Sequence, residues 1–251
     1  MKAIKAISIS DRKGIRKKNR AAVFLKENFG LEDDAHGGDW HRQVSLLAQE
    51  SINFMREKGL EVVAGNFAEN ITTEGIDLTA LSVGTHLQLG ATELVISQLG
   101  KICHNRCAIY HQAGDCVMPR EGIFGVVLNG GKIKVGDKIK VLDSTSSSAA
   151  IVATKKDEEQ HGKLLRKKIN EKRAPSFTRF DSLSNKQTTP DAILKDLTDT
   201  QHIDDIIIFD PSGSCGLALA GYEKVQNQKN IYKKYNSTIY YFKTTENFEL
   251  S

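Results

Sequence analysis

The chain has 251 residues, enough for one large or two ordinary domains, and its 39% apolar and 26% charged residues are those of a globular protein. A formal net charge of +4 fits a protein that handles an anionic small molecule and is too small to argue for nucleic acid. No run reaches the roughly 20 apolar residues of a membrane span, and residues 1–10 lack the apolar core and cleavage site of a signal peptide, so the expectation is a soluble, cytoplasmic protein with reduced thiols.

Residues 3–10 alternate as a strand should. Val44, Leu47, Ala48, Ile52 and Met55 fall at helical spacing, which predicts a helix ended by Gly59. Residues 85–89 and 92–97 flank Gly90-Ala91 and read as a hairpin. The apolar run 123–128 leads into Asn129-Gly130-Gly131, whose residues accept the positive φ of a tight turn. Strands at 132–135 and 138–142 follow, separated by Gly136-Asp137. Short strands, turn signals and few helices predict a closed or nearly closed β-barrel over residues 1–143.

The serine-rich stretch 144–150 reads as a linker. After it the period changes. A strand at 150–154 precedes a charged helix at 157–172 with Leu164, Leu165 and Ile169 on its apolar side. Thr189 caps a helix that opens on Pro190 and runs to about residue 197. Residues 205–209 form a buried-type strand, 216–229 a helix and 238–242 another strand. Strands alternating with helices predict a small α/β domain over 151–251 with a mostly parallel sheet. The fold class is therefore mainly β: a barrel with few helices, then a small α/β domain of unassigned role.

Three of the four cysteines, Cys103, Cys107 and Cys116, lie within residues 101–124, beside Lys101, Arg106 and Arg120 and with His104 and His111. Cations next to a thiol favour the thiolate, the form that attacks, carries sulfur or binds metal. Burial in the core is the competing reading of each thiol. Zinc accepts every ligand type in Cys103, His104, Cys107, His111 and Cys116, although no Cys-x2-Cys pair is present. Upstream, His36, His41 and Arg42 share a short segment with Gly37, Gly38 and Trp40. Small residues let a ligand approach the backbone, arginine holds oxyanions bidentately, and Trp40 offers a face to a flat heterocycle. The competing reading is a turn with Asp39 or Ser45 capping the Val44 helix. Asn70 serves either a polar ring edge or its own turn. Arg120 stands in a turn beside Cys116, and its competing reading is a solvated pair with Glu121. In the second part, Asp210-Pro-Ser-Gly-Ser-Cys-Gly216 joins a strand to a helix and puts Cys215 near the helix start, but it lacks the lysine of a phosphate loop.

Several ordered segments resemble one family. They are Asp34-Ala-His-Gly-Gly-Asp-Trp-His-Arg-Gln-Val-Ser-Leu-Leu47, Gly65-Asn-Phe-Ala-Glu-Asn-Ile-Thr-Thr-Glu-Gly-Ile76, Leu81-Ser-Val-Gly-Thr85, Gly100-Lys-Ile-Cys-His-Asn-Arg-Cys107, Gly114-Asp-Cys-Val-Met-Pro-Arg-Glu-Gly-Ile-Phe124 and Val135-Gly-Asp137. Over residues 1–143 the chain resembles the MOSC domain, named for the C-terminal domain of molybdenum cofactor sulfurases. The resemblance implies a β-rich barrel that binds molybdenum cofactor (molybdopterin) or carries activated sulfur as a cysteine persulfide. It implies partners in molybdenum cofactor biosynthesis or among molybdenum enzymes. It makes Cys103 the first choice as acting thiol and molybdenum ligand, then Cys107 and Cys116. Asp34, His36, His41, Arg42, Asn70, Lys101, Arg106 and Arg120 become the cofactor-binding set. Sulfur transfer is the leading activity this implies. A molybdenum-dependent reductase of N-hydroxylated compounds and a zinc-stabilised, non-enzymatic binding module are the alternatives. Pyridoxal phosphate enters by family association only, since no lysine context here supports it. The family's glycine before the Asp-Ala-His motif is replaced by Asp33, a residue type that tolerates a left-handed backbone.

Overall fold

The computed structural model describes residues 1–101, 108–173, 175–183, 189–212, 222–224, 231–243, 245 and 250. The chain divides between Ser146 and Ser147 into two compact units.

The first unit contains strands β1 (Ala3–Ile9), β2 (Lys18–Arg20), β3 (Ala22–Lys26), β4 (Gly30–Leu31) and β5 (Val44–Ala48), then helix α1 (Gln49–Glu57). Strands β6 (Ile71–Glu74), β7 (Thr85–Leu89) and β8 (Thr92–Leu99) follow, with short helices α2 (Ala108–Ala113) and α3 (Met118–Glu121). Strands β9 (Ile123–Asn129), β10 (Gly131–Lys134) and β11 (Ile139–Thr145) complete it. The main sheet has the order β11-β7-β8-β9-β5-β6-β1-β2, and β10-β3-β4 forms a smaller one. The main sheet curls back on itself. Ile4 N–H donates to Asp137 O (2.9 Å), Gly136 N–H to Ile4 O (2.8 Å) and Ile139 N–H to Lys2 O (2.9 Å), so β1 is bonded to the start of β11. Closure of this kind removes an exposed sheet edge. Inside lie Ile4, Leu25, Leu46, Leu87, Leu94, Ile96 and Val127, all buried.

The predicted hairpin forms as β7 and β8, paired at Leu89 and Thr92 across Gly90. The predicted helix starting at Val44 does not. Val44–Ala48 is strand β5, and the helix begins at Gln49. All five residues of β5 are buried. Val44 and Leu46 face the barrel core, while Leu47 faces a second cluster with Ile52, Met55, Val117 and Phe124. A strand covered on both faces loses its period of two and can imitate a helix. Ser45 is therefore a strand residue and no helix cap; the helix starts from Ala48 without a side-chain cap.

The second unit holds β12 (Ser148–Ala153), α4 (Lys155–Arg173), β13 (Phe177–Ser182), α5 (Pro190–Lys195), a π-helical turn (Asp196–Thr200), β14 (Asp205–Phe209), β15 (Glu223–Lys224), β16 (Ile231–Lys234) and β17 (Ser237–Phe242). Its sheet has the order β13-β12-β14-β17-β16-β15. The first four are mutually parallel and the last two join antiparallel. Thr189 caps α5 by accepting from Ala192 N–H (3.2 Å). Leu165 and Ile169 of α4 are buried against the sheet, whereas Leu164 is 42% exposed and lies off the predicted apolar side. Residues 148–150, read as linker from the sequence, enter β12 and are buried there. Of the helix expected at 216–229, the described residues Glu223 and Lys224 form β15, and the rest lies outside the described residues, as does Cys215.

Candidate functional site

A buried polar network ties β1, the 10–18 loop, the 31–42 turn, β5 and the loop before β6 together. Its centre is an ion pair, Lys17 Nζ to Asp34 Oδ2 at 2.7 Å, with side chains 1% and 0% exposed. Buried charges persist only when paired and hydrogen-bonded, and Asp34 is both. Its Oδ2 also accepts from Asn70 Nδ2 (3.0 Å), and its Oδ1 accepts from Ser10 N–H (2.9 Å). Burial alone would push the Asp34 carboxyl up, but the Lys17 ammonium and the Ser10 N–H hold it below the usual carboxylate range. Burial pulls Lys17 down against the attraction of Asp34 and Glu69. Asn70 Oδ1 accepts from Ser45 N–H (3.1 Å) and Ser45 Oγ (2.9 Å), and its Nδ2 also donates to Ser8 O (3.2 Å). Glu69, fully buried, accepts from Gly65 N–H, Phe67 N–H (3.1 Å) and Thr72 Oγ1 (3.0 Å). Burial pushes its carboxyl up against those donors.

The 31–42 turn is built on this network. Asp33 takes the left-handed backbone at φ 61°, a conformation that Asp tolerates better than most residues. Ala35 N–H donates to Ser10 O (2.8 Å) and Gly38 N–H to Phe29 O (2.8 Å). Gly37 is packed so closely that a Cβ would lie 2.4 Å from the Phe29 ring. Trp40 Nε1 donates to His36 O (3.0 Å), closing the turn on itself. The Arg42 guanidinium sits over the rings of Trp40 (4.8 Å) and Phe124 (5.8 Å), a cation–π arrangement that fixes its head. His41 is buried and its Nε2 meets Gln98 Oε1 at 2.9 Å. Gln98 Nε2 donates in turn to Gly100 O (2.8 Å). That contact anchors the chain just before Lys101, whose N–H donates to Pro119 O (3.2 Å).

His36 sits beside the Lys17–Asp34 pair. Its Nδ1 is buried without a hydrogen bond and lies 3.7 Å from Asp34 Oδ2. Burial lowers its pKa, and Lys17, Lys13 and Lys101 lower it further, partly offset by Asp34. The imidazole is therefore biased to the neutral form inside a positive field. Such a field attracts an anion.

The MOSC domain family model matches residues 32–140. Residues 32–140 are a MOSC domain. Among solved structures, the chain is similar to the YuaD protein of Bacillus subtilis, with 19% identity and a TM-score of 0.48 over 56% of this chain and 96% of that one. It is also similar to YiiM from Geobacillus stearothermophilus (21% identity, TM-score 0.45, 57% of this chain and 76% of that one) and YiiM from Escherichia coli (17%, 0.42, 58% and 72%). No curated protein matches the chain.

Within the MOSC domain the candidate residues fall into distinct groups. His36, Arg42 and Lys101 are half-buried and open in part to solvent. Asp34, Asn70 and His41 are buried, and their hydrogen bonds run to protein groups of the same network. Arg120 pairs through both terminal nitrogens with Asp115 (2.7 and 3.1 Å), not with Glu121. Asp115 also takes Lys58 Nζ (2.8 Å), and Arg120 and Lys58 hold its carboxyl far below the usual range. Cys116 is half-buried beside the Leu47 and Val117 cluster, the environment of a packed thiol. Cys103, Arg106 and Cys107 lie outside the described residues. Of the zinc set, only His111 and Cys116 are described.

Lys17 and Lys13 were not singled out in the sequence, nor was Gln98. The run Arg12-Lys-Gly-Ile-Arg-Lys-Lys18 was the available signal, but a basic run ordinarily reads as a solvated face. A cavity of about 620 Å³ elsewhere in the first unit is lined by Glu50, Asp77 and Glu121 with Phe54 and Ile76. It includes none of the candidate residues, and its carboxylates disfavour an anion.

Proposed function

We propose that the MOSC domain binds molybdenum cofactor, or a sulfur or metal species bound for it, at the cationic corner around His36. The observation that carries this reading is one half-buried histidine within the matched barrel whose buried Nδ1 has no hydrogen bond and on which Lys13, Lys17 and Lys101 act through their charge. The donor set fits the cofactor's anionic end. Lys101 and Lys13 supply positive charge, His36 supplies a neutral imidazole able to accept a proton, and Arg42 supplies a guanidinium pre-oriented by Trp40 and Phe124. The buried Lys17–Asp34 pair holds the turn that carries His36 and Arg42 in place.

Bound molybdenum cofactor supplies a metal centre at which oxygen or sulfur ligands exchange. Cys103, two residues after Lys101, is the thiol assigned to that centre, and the neighbouring lysine favours its thiolate. In a carrier role that thiolate would attack the outer, sulfane sulfur of a persulfide on a separate donor protein, so that the donor's S–S bond breaks, the donor leaves as a thiolate and the persulfide is left on Cys103.

The test is the cofactor content of protein made in a host that synthesises molybdenum cofactor. Wild type is expected to carry pterin and molybdenum in comparable amounts. Lys101→Glu and Cys103→Ala should each carry at least about tenfold less, the loss expected for removal of a charge-assisted contact or a metal ligand. Wild-type content no higher than that of an unrelated protein from the same host would overturn the reading.

A further inference from the structure

A second group of reactive side chains lies in the first unit, away from the thiols. His86 stands on β7, Glu93 on β8 across the hairpin, and Ser146 directly after β11, which pairs with β7. His86 Nδ1 is 2.5 Å from Glu93 Oε1, and its Nε2 contacts Ser146 Oγ. The backbone fixes the serine: Ser146 N–H donates to Gly84 O at 3.1 Å. Gly84 has φ +87°, and a Cβ there would come 2.6 Å from Ser146 O, so only glycine admits this approach. His86 is 8% exposed, whereas Ser146 is half-buried and so reachable from solvent.

The order of partners matters chemically. Glu93 has only acceptors when ionised, so Nδ1 of a neutral His86 carries the proton and Nε2 offers its lone pair to the Ser146 hydroxyl. A hydroxyl, a base within hydrogen-bond reach and a third group orienting that base are the parts of an activated nucleophile. A hydrogen-bonded tie between β11 and the hairpin needs none of this polarity, and an apolar trio would serve it as well.

We propose that Ser146 is a nucleophilic serine, with His86 as its general base and Glu93 as the positioning residue, acting on small carboxylic esters. The Ser146 Oγ forms a bond to the ester carbonyl carbon as its proton passes to His86 Nε2. The bond from that carbon to the leaving oxygen breaks as the proton is returned to it, releasing an alcohol. Water repeats the sequence on the acyl-serine, releasing a carboxylic acid and restoring the hydroxyl. No electrons are gained or lost, and no cofactor takes part, so this site is independent of the cofactor reading.

The test uses the full chain, diisopropyl fluorophosphate as probe and peptide mass mapping, with hydrolysis of p-nitrophenyl acetate followed in parallel. The exposed neighbours Ser144 and Ser147 are internal controls. Ser146 is expected to label at least about a hundredfold faster than either, and His86→Gln to lower that rate by a similar factor, the usual worth of a general base. Ser146→Ala should abolish the label and the esterase activity above background. Equal labelling of the three serines in wild type would sink the proposal, a result that needs no folded variant. So would an unchanged Ser146 rate in a His86→Gln protein with the wild-type circular dichroism spectrum.

Discussion

Lys17 is the residue on which the Asp34 corner depends. Its ammonium is buried with the carboxylate at 2.7 Å, and removing one member of such a pair strands the other in a poorly solvated place. Lys17→Met is therefore expected to destabilise the barrel by about 3 kcal/mol in urea unfolding, at the lower end for a broken buried pair because Ser10 N–H and Asn70 Nδ2 still serve Asp34. A loss below about 1 kcal/mol, the worth of an exposed pair, would contradict the burial. The pH dependence has a definite sign. The folded Asp34 carboxyl sits below its ordinary value of 3.8, so its contribution is complete above that pH and is lost as pH falls through the lower folded value. The sequence pointed to Asp34 and Asn70 but not to the partners they hold in the fold. Both read as ligand contacts because their neighbours are glycines and histidines. Only the fold shows that their polar atoms are consumed by Lys17, Ser8, Ser10 and Ser45.

At the scale of elements, the loop before β6 transmits this order. Gly65 has φ +92°, and a Cβ added there would meet Lys17 O at 2.7 Å and Ser8 Oγ at 3.0 Å. The backbone carbonyl cannot swing away cheaply, because Lys17 N–H is itself bonded to Gly65 O (3.1 Å). Gly65→Ala should cost about 1–3 kcal/mol, the range for a strained left-handed residue, read as a lowered urea midpoint. An unchanged midpoint would mean that the loop relaxes freely. Element types were legible where a turn or cap residue marks the element's end. The β7–β8 hairpin announced itself through Gly90, and α5 through Thr189 and Pro190. The junction of β5 and α1 was not legible, because Val44–Ala48 is buried on both sides and its apolar positions satisfy a helical template by coincidence.

The whole molecule is two compact units with separate cores, one around Ile4, Leu46 and Val127 and one around Ile151, Leu165 and Ile207. The change of architecture was visible as a change of period in the sequence. The boundary was less so, because serine and alanine between domains resemble a linker, yet small residues also pack in a buried strand such as β12. Net charge said only that an anion is a reasonable ligand. Folding decides where the cations act, and it brings Lys101 to bear on His36 together with Lys13 and Lys17 of the distant 12–18 run. The central claim is that this corner receives an anion, and the titration of His36 by NMR tests it most directly. The chain has seven histidines, so His36→Gln assigns the signal. Without added anion, His36 should titrate below the ordinary 6.5, because burial and the lysines oppose its protonation. Inorganic phosphate at the site would offset the lysines, and the His36 pKa should rise as phosphate is added. A pKa at or above 6.5 in the absence of phosphate, or one that phosphate leaves unmoved, would contradict the account.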